Sequence, residues 1–173
     1  MSANIVSLNK HFGRHCFKTA LLLAPKRYAQ CLNNHKMTIN KYPHTDKIQI
    51  ILEGKADFVK RDGLNYLIPA WQKFADNYVD TEDSIFEWHN DLDTRNIIDE
   101  ILALLPTAEK TKVELDLKVI DAKVIEKTFE INECVWGDQV EHDNKYNRQN
   151  NWYYYRMNQS VFNSETGQYT KRQ

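Results

Sequence analysis

The stretch "KVELDLKVI", residues 112–120, decides the fold class that this sequence predicts. Its apolar and polar residues alternate without a break: Val113, Leu115, Leu117 and Val119 against Glu114, Asp116 and Lys118. Strict alternation is typical of a β-strand with one buried side and one side in water. We therefore interpret residues 112–120 as a strand and work outward from it.

Strand-like patterns occur on both sides of this stretch. Residues 124–131 predict an antiparallel neighbour, and residues 152–162 with 167–171 predict a last hairpin, after a polar loop. Upstream, residues 47–54 alternate, and residues 56–68 resemble two strands joined at a turn that contains Gly63. The sequence thus predicts about five to seven strands.

Helical patterns predict about four helices, two near the N-terminus and two in the centre. Ser7 and Pro25 each precede a segment with apolar residues three and four apart. Pro69 predicts the first turn of a third helix, with a stripe of Trp71, Phe74, Ala75 and Tyr78. Asp93 predicts the cap of a fourth, which has an apolar face of Ile97, Ile98, Ile101, Leu102 and Leu105.

Together these elements predict a single α+β domain over residues 1–173, with an antiparallel sheet. Its predicted parts are a basic helical segment at 1–45, an acidic segment at 76–100 and a β-rich part at 111–170. A chain of 173 residues is of ordinary length for one domain.

The composition places the chain among ordinary globular proteins. Hydrophobic residues make up 42% and charged residues 27% of it. Its three cysteines, an odd number, fit a reducing compartment, so we expect a cytoplasmic protein. Since no apolar run approaches the length of a membrane span, we expect no membrane partner. No motif calls for a cofactor, and no catalytic residue is assigned.

Charge is distributed unevenly along the chain. Residues 1–60 have a net charge of +7, residues 61–108 one of −7, and residues 109–173 one of −1. Such polarity indicates that the basic and acidic regions pair with each other or face different partners.

The acidic segment gives the leading functional hypothesis. Between Asp76 and Glu100, nine carboxylates accompany only Arg95, and aromatic residues are interleaved with them. Negative charge steers a basic partner, and aromatic anchors supply affinity. We therefore expect a small interaction protein, of the immunity or anti-defence inhibitor type, that binds and masks a basic protein partner. Its expected contacts are Tyr78, Glu82, Asp83, Glu87, Trp88, Asp91 and Asp93.

The basic N-terminal segment offers an alternative function, nucleic-acid binding. The cations that would contact phosphates are Lys10, Arg14, Lys18, Lys26 and Arg27. The same cations would equally serve a basic helix pair that packs on the protein's own acidic segment.

A metal-dependent hydrolase or nuclease is the second alternative. Asp116 and Lys118 have the acid-x-lysine spacing of metal-dependent nucleases, and Asp91, Asp93 or Asp99 would have to complete the site. Two pairs at helical spacing form a weaker zinc motif: His11 with His15, and Cys31 with His35. Solvent-facing charges and ordinary helix-surface residues account for both patterns.

Overall fold

The structure, a computed structural model, describes residues 45–165 and 167–173. The two helices expected from Ser7 and from Pro25 lie outside these residues.

The described part of the chain is mainly helical. Its helices are α1 (Thr45–Leu52), α2 (Asp57–Asp62), α3 (Leu64–Asn77), α4 (Ile85–Leu102), α5 (Thr107–Lys127), α6 (Asp138–Asn144) and α7 (Gln159–Ser164). A 3-10 helix spans Trp152–Tyr155, and two short strands are β1 (Phe129–Glu130) and β2 (Arg156–Met157). The strands pair antiparallel, Phe129 opposite Met157 and Glu130 opposite Arg156.

The predicted α+β fold, with about five to seven strands and about four helices, is wrong, since the described residues form seven α-helices and one two-stranded sheet. Residues 112–120 are the interior of α5. The buried residues of α5 are Val113, Leu117, Ile120 and Val124, whose spacing of four, three and four follows one helix face. Leu115 and Val119 lie on another face, and each is 63% exposed. The alternation therefore comes from a helix that is apolar on two sides.

The strands expected between residues 47 and 68 are also wrong, because this region forms α1, α2 and the start of α3. In α1, Ile48 and Leu52 are fully buried, four residues apart on one helix face. Gly63, expected in a hairpin turn, instead separates two helices. Its φ of +50° favours glycine, and its backbone N–H donates to the carbonyl of Val59 in α2, which caps this helix.

The β-rich part expected at residues 111–170 shrinks to β1, β2 and one isolated bridge between Ile131 and Lys171. The expected loop contains α6, and the expected last hairpin contains the 3-10 helix and α7. Aromatic residues such as Tyr153 and Tyr154 have high strand propensity, but here both belong to a 3-10 helix, and their side chains are fully buried. Burial against the helices thus overrides local propensity here.

The two central helices are confirmed, although their beginnings differ from the prediction. Helix α3 begins at Leu64, so Pro69 is inside it, not in its first turn. Helix α4 begins after Ser84, and Asp93 is interior, not the cap. Tyr78, also expected on the stripe of the first of these helices, is 40% exposed and follows the last residue of α3. The other apolar residues expected on these two helices are buried: Trp71, Phe74, Ala75, Ile97, Ile98, Ile101, Leu102 and Leu105.

An aromatic cluster lies where α3 packs against α4 and α5. The rings of Trp71 and Phe74 stack with centroids 5.1 Å apart, and Phe74 meets Trp88 edge-to-face at 5.3 Å. Each indole N–H has a partner. Trp71 donates to the Asp121 carboxylate at 2.7 Å, and Trp88 donates to the backbone carbonyl of Arg156 at 3.2 Å. Because both donors are satisfied, these large rings can be buried without a polar penalty.

A buried ion pair connects the same three helices. Arg95 of α4 donates through Nε and Nη2 to the Asp121 carboxylate of α5, with distances of 3.0 to 3.2 Å, and through Nη1 to Asp99. Burial disfavours the guanidinium charge, but these carboxylates outweigh it and raise the pKa of Arg95. With the N–H of Trp71, Asp121 thus contacts α3 and α4 at once.

Arg156 closes the C-terminal end of α5. Its guanidinium donates to the carbonyls of Ile125 and Thr128 and to the Thr128 hydroxyl. A cation at this position satisfies carbonyls that a helix end leaves without partners. Since β2 supplies Arg156, the small sheet holds the end of α5 in place.

Within residues 45–165 and 167–173, no helix combines the length and apolar character that a membrane span requires.

Replacing Asp121 with Asn should strongly destabilise the protein. The change leaves Arg95 buried beside Asp99 without its bidentate partner, and we expect the free energy of unfolding to fall by about 3–5 kcal/mol. Asp116→Asn, at an exposed position of the same helix, should change it by less than about 0.5 kcal/mol. Urea denaturation of both variants measures the difference, and equal small effects would contradict the role given to Asp121.

Candidate functional site

The candidate site is the acidic corner, which we define as residues 78–91. It comprises the connection from α3 to α4 and the first two turns of α4. The corner contains Asp80, Glu82, Asp83, Glu87 and Asp91 and no lysine or arginine. Asp83 and Glu87 flank the start of α4, where the helix dipole favours negative charge.

Asn158 holds the connecting segment of the corner in place. Its side chain is buried, and its amide N–H groups donate to the carbonyls of Val79 at 2.8 Å and Glu82 at 2.9 Å. Its Oδ1 accepts the backbone N–H of Val161, which caps α7. One side chain thus fixes the connection relative to α7 from beneath, as a pre-organised binding surface requires.

The outer face of the corner combines aromatic rings with unpaired carboxylates. Phe86 is 58% exposed and Tyr78 is 40% exposed, and Asp83 and Glu87 are also exposed. No residue that the structure describes forms an ion pair or a side-chain hydrogen bond with Asp83 or Glu87. Lys73 lies 4.9 Å from the Tyr78 ring, at the edge of this face.

Glu82 and Asp91 form a buried pair of carboxyl groups behind that face. Burial, with a smaller contribution from the neighbouring Asp91 and Glu87, raises the pKa of Glu82 to about 10. Burial also raises the pKa of Asp91, which Lys73 partly offsets. Two carboxylates in one buried place cannot both ionise without a large cost, so Glu82 keeps its proton at neutral pH.

Two of the expected partner contacts, Trp88 and Asp93, face the interior of the protein, and so does His89, the residue after Trp88. Trp88 is fully buried in the aromatic cluster. His89 stacks on Trp136 with ring centroids 4.1 Å apart, and its Nε2 lies 3.0 Å from the carbonyl of Val135. Burial lowers the pKa of His89 to about 4, so it stays neutral. Asp93 accepts the Tyr154 hydroxyl at 2.7 Å.

Acids on either side of Asp83 and Glu87 along the chain have cationic partners. Lys123 of α5 pairs with Asp76 at 2.7 Å, and Lys127 pairs with Asp80 at 3.5 Å. On the other side, Asp99 accepts Nη1 of Arg95. The exposed negative charge that remains is therefore concentrated at the outer face of the corner.

The structure divides the expected partner contacts into two groups. Tyr78, Asp83 and Glu87 are together on the outer face, whereas Glu82, Trp88, Asp91 and Asp93 lie behind it or in the core. Phe86 is the exposed aromatic residue that the expected set omitted. Its signal was present in the sequence, since Phe86 and Trp88 differ by two positions and point to different sides of a helix.

The other candidate chemistries find no support in the described residues. Asp116 and Lys118 lie on helix α5 and not on a strand. In the ranges 45–165 and 167–173, no group of three or more His, Cys, Asp or Glu residues is arranged to hold a metal ion. Burial raises the pKa of Cys134 to about 11, which keeps this buried thiol protonated. The expected phosphate-contacting cations and the expected zinc ligands all lie outside the described residues.

No protein-family model, curated protein or solved structure matches this chain.

Replacing Glu82 with Gln should stabilise the protein at neutral and alkaline pH. Glu82 has an ordinary pKa of 4.5 when unfolded and one of about 10 when folded, so wild-type stability decreases as the pH rises between these values. The amide N–H of Gln can replace the carboxylic O–H toward Asp91 without a charge. We expect the free energy of unfolding at pH 8 to increase by at least about 1.4 kcal/mol, the equivalent of one pKa unit.

Thermal unfolding between pH 5 and pH 9 measures this effect. The Glu82→Gln variant should lose less stability than wild type as the pH rises, while the exposed Glu87→Gln variant should follow wild type. Parallel pH profiles for Glu82→Gln and wild type would show that Glu82 is ionised in the folded protein.

Proposed function

We propose that the protein binds a basic protein partner through the outer face of the acidic corner and masks it, as an immunity protein or an anti-defence inhibitor does. The observation that carries the proposal is the exposed Phe86 beside the unpaired carboxylates of Asp83 and Glu87. The likeness to such inhibitors is in the chemistry of the surface, acidic residues beside exposed aromatic rings, and not in a shared family.

Charge would provide the specificity and the speed of encounter. The net charge of residues 61–108 is −7, and within this segment Asp83 and Glu87 lack the cationic partners that Asp76, Asp80 and Asp99 have. A concentrated negative patch raises the association rate with a basic partner and rejects acidic competitors. Binding of this kind weakens as salt screens the charges.

The exposed rings would provide the affinity. Phe86 and Tyr78 present apolar area beside the acids, and burial of aromatic rings at the centre of an interface supplies much of its binding energy. Asn158 holds the segment that connects them, so little conformational entropy is lost on binding.

The rigid layer behind the face also favours a binding role over catalysis. The Oε2 atom of Glu82 is buried and has no hydrogen-bond donor among the described residues, so this oxygen does not reach a bound substrate. His89 is neutral and held by Trp136 and Val135. Glu82 and His89 therefore support the surface from behind and do not open onto it.

Capture from a lysate of the cell that makes the protein tests this proposal. Full-length wild type, Phe86→Ala and the double variant Asp83→Lys/Glu87→Lys serve as baits. We expect wild type to retain a basic protein that elutes as salt increases, Phe86→Ala to weaken its binding by roughly tenfold, and the double variant to abolish it.

Glu53→Lys/Asp57→Lys is the matched control, since it reverses two exposed acids outside the corner. This control should retain the same protein as wild type. If the captured protein binds wild type and the corner variants with equal affinity in a titration of purified components, the proposed surface is wrong.

A further inference from the structure

The last residues of the chain, 167–173, form a tail that adds to the small sheet in the manner of a third strand. Lys171 of the tail lies opposite Ile131 in an antiparallel bridge. Two backbone hydrogen bonds, 2.8 and 2.9 Å long, join the tail to β1 and the residues after it. Because the N–H of Ile131 donates to the carbonyl of Tyr155 next to β2, the tail lies along the opposite edge of β1.

Successive side chains of the tail make two different kinds of contact on the two faces of this strand. On one face, the Lys171 ammonium lies 3.9 Å from the ring centroid of Phe129 and 5.3 Å from that of Phe162. On the other face, Arg172 pairs with the Glu130 carboxylate at 3.1 Å. Aromatic rings and carboxylates of this kind recognise lysine and arginine.

The beginning of the tail is held by polar contacts. The Glu133 carboxylate accepts the backbone N–H of Thr170 at 2.7 Å and its hydroxyl at 2.8 Å. The Tyr169 hydroxyl donates to the carbonyl of Val135 at 3.1 Å. The surface beneath the tail therefore combines a backbone edge with two carboxylates and two aromatic rings. We call this surface the tail groove and define it by Phe129, Glu130, Asn132, Glu133, Val135 and Phe162.

The tail is weakly held in this groove. Apart from the half-buried Tyr169, all residues of the tail are exposed. Water competes for exposed hydrogen bonds, so their net contribution to stability is small. Chain ends that are held mainly by exposed polar contacts open at a low cost in free energy. We therefore expect the tail to leave the groove and return to it.

We propose that the tail groove binds an extended segment of another protein that carries adjacent lysine and arginine residues, and that the tail competes for the same place. The proposal does not depend on the acidic corner. Extended peptides commonly bind as an added strand at the edge of a sheet, where backbone hydrogen bonds give affinity and contacts with alternate side chains give specificity. The tail supplies the pattern that the groove accepts.

The short connection to the tail favours another protein over a second copy of this chain. Residues 165–168 are all that separates α7 from Tyr169, so a tail that has left the groove stays beside it. An exchange of tails between two copies would force both copies to meet closely at this face, whereas a segment of another protein meets no such limit. The same tether gives the tail an effective concentration on the order of 1 mM, which makes it an efficient competitor.

An NMR titration of the ¹⁵N-labelled full-length chain with an unlabelled synthetic peptide of residues 167–173 tests the proposal. In wild type, the amide signals of Thr170 and Arg172 should move to the positions of an undocked tail as the peptide replaces it. In the Lys171→Ala/Arg172→Ala variant, whose own tail is weakened, the peptide should instead shift the amide signal of Asn132. We expect dissociation constants of about 1 mM for wild type and about 100 µM for this variant, a tenfold difference that measures the competition.

Three controls show whether the groove recognises the peptide. A peptide that carries the change Lys171→Glu should bind neither chain. Phe162→Leu, added to the weakened-tail variant, should lower the affinity roughly fivefold, because one ring beside the lysine is lost. Glu53→Lys/Asp57→Lys, which reverses two exposed acids outside the groove, should leave peptide binding as in wild type. Thermal unfolding confirms that each variant is folded.

Three results would overturn the proposal. If the tail signals of wild type stay in place up to about 5 mM peptide, the tail is a permanent part of the fold, even where the weakened-tail variant binds the peptide. If the peptide with Lys171→Glu binds equally well, the groove does not recognise the lysine. If sedimentation velocity shows a wild-type dimer that the peptide dissociates, a second copy is the occupant.

Discussion

The Arg95 guanidinium is buried between carboxylates from two helices, and much of the fold follows from this constraint. Asp121 of α5 and Asp99 of α4 both accept hydrogen bonds from this guanidinium. The indole N–H of Trp71, on α3, donates to the same Asp121 carboxylate. The net stabilisation from a buried ion pair is small, because desolvation offsets the attraction. Breaking one is costly, however, so alternative packings of these three helices that separate the partners are disfavoured. The network therefore acts mainly by specifying one arrangement.

This arrangement presents the acidic corner on a rigid base. Helix α4 carries Arg95 near its middle and the corner at its beginning, so the contacts that position the helix also position Phe86 and Glu87. Asn158 fixes the preceding segment from the other side. Glu82 has the opposite effect: because it is buried beside the carboxyl group of Asp91, it lowers the free energy of unfolding as the pH rises.

The sequence predicts the two central helices, their buried faces and the acidic region, because apolar residues three and four apart leave little ambiguity there. It fails for α5, where Leu115 and Val119 make a two-sided helix resemble an alternating strand. It fails for α1 because a helix of eight residues is too short to separate the two patterns: Ile48, Ile50 and Leu52 alternate, while Ile48 and Leu52 are also four apart. For the site, the sequence shows which segment is acidic but not which of its side chains face the solvent. Trp88 is the larger aromatic residue, and only the helix register shows that Phe86 takes the surface position.

A double-mutant cycle on Arg95 and Asp121 tests most directly whether their pair organises the fold. Arg95→Met leaves the carboxylates of Asp121 and Asp99 without their cation, and Asp121→Leu leaves Arg95 with Asp99 alone, whereas the double variant leaves only the charge of Asp99. We expect each single change to lower the free energy of unfolding by about 3–5 kcal/mol and the double change to cost well below their sum. Additive losses would contradict the account, since they would mean that the two residues stabilise the protein independently.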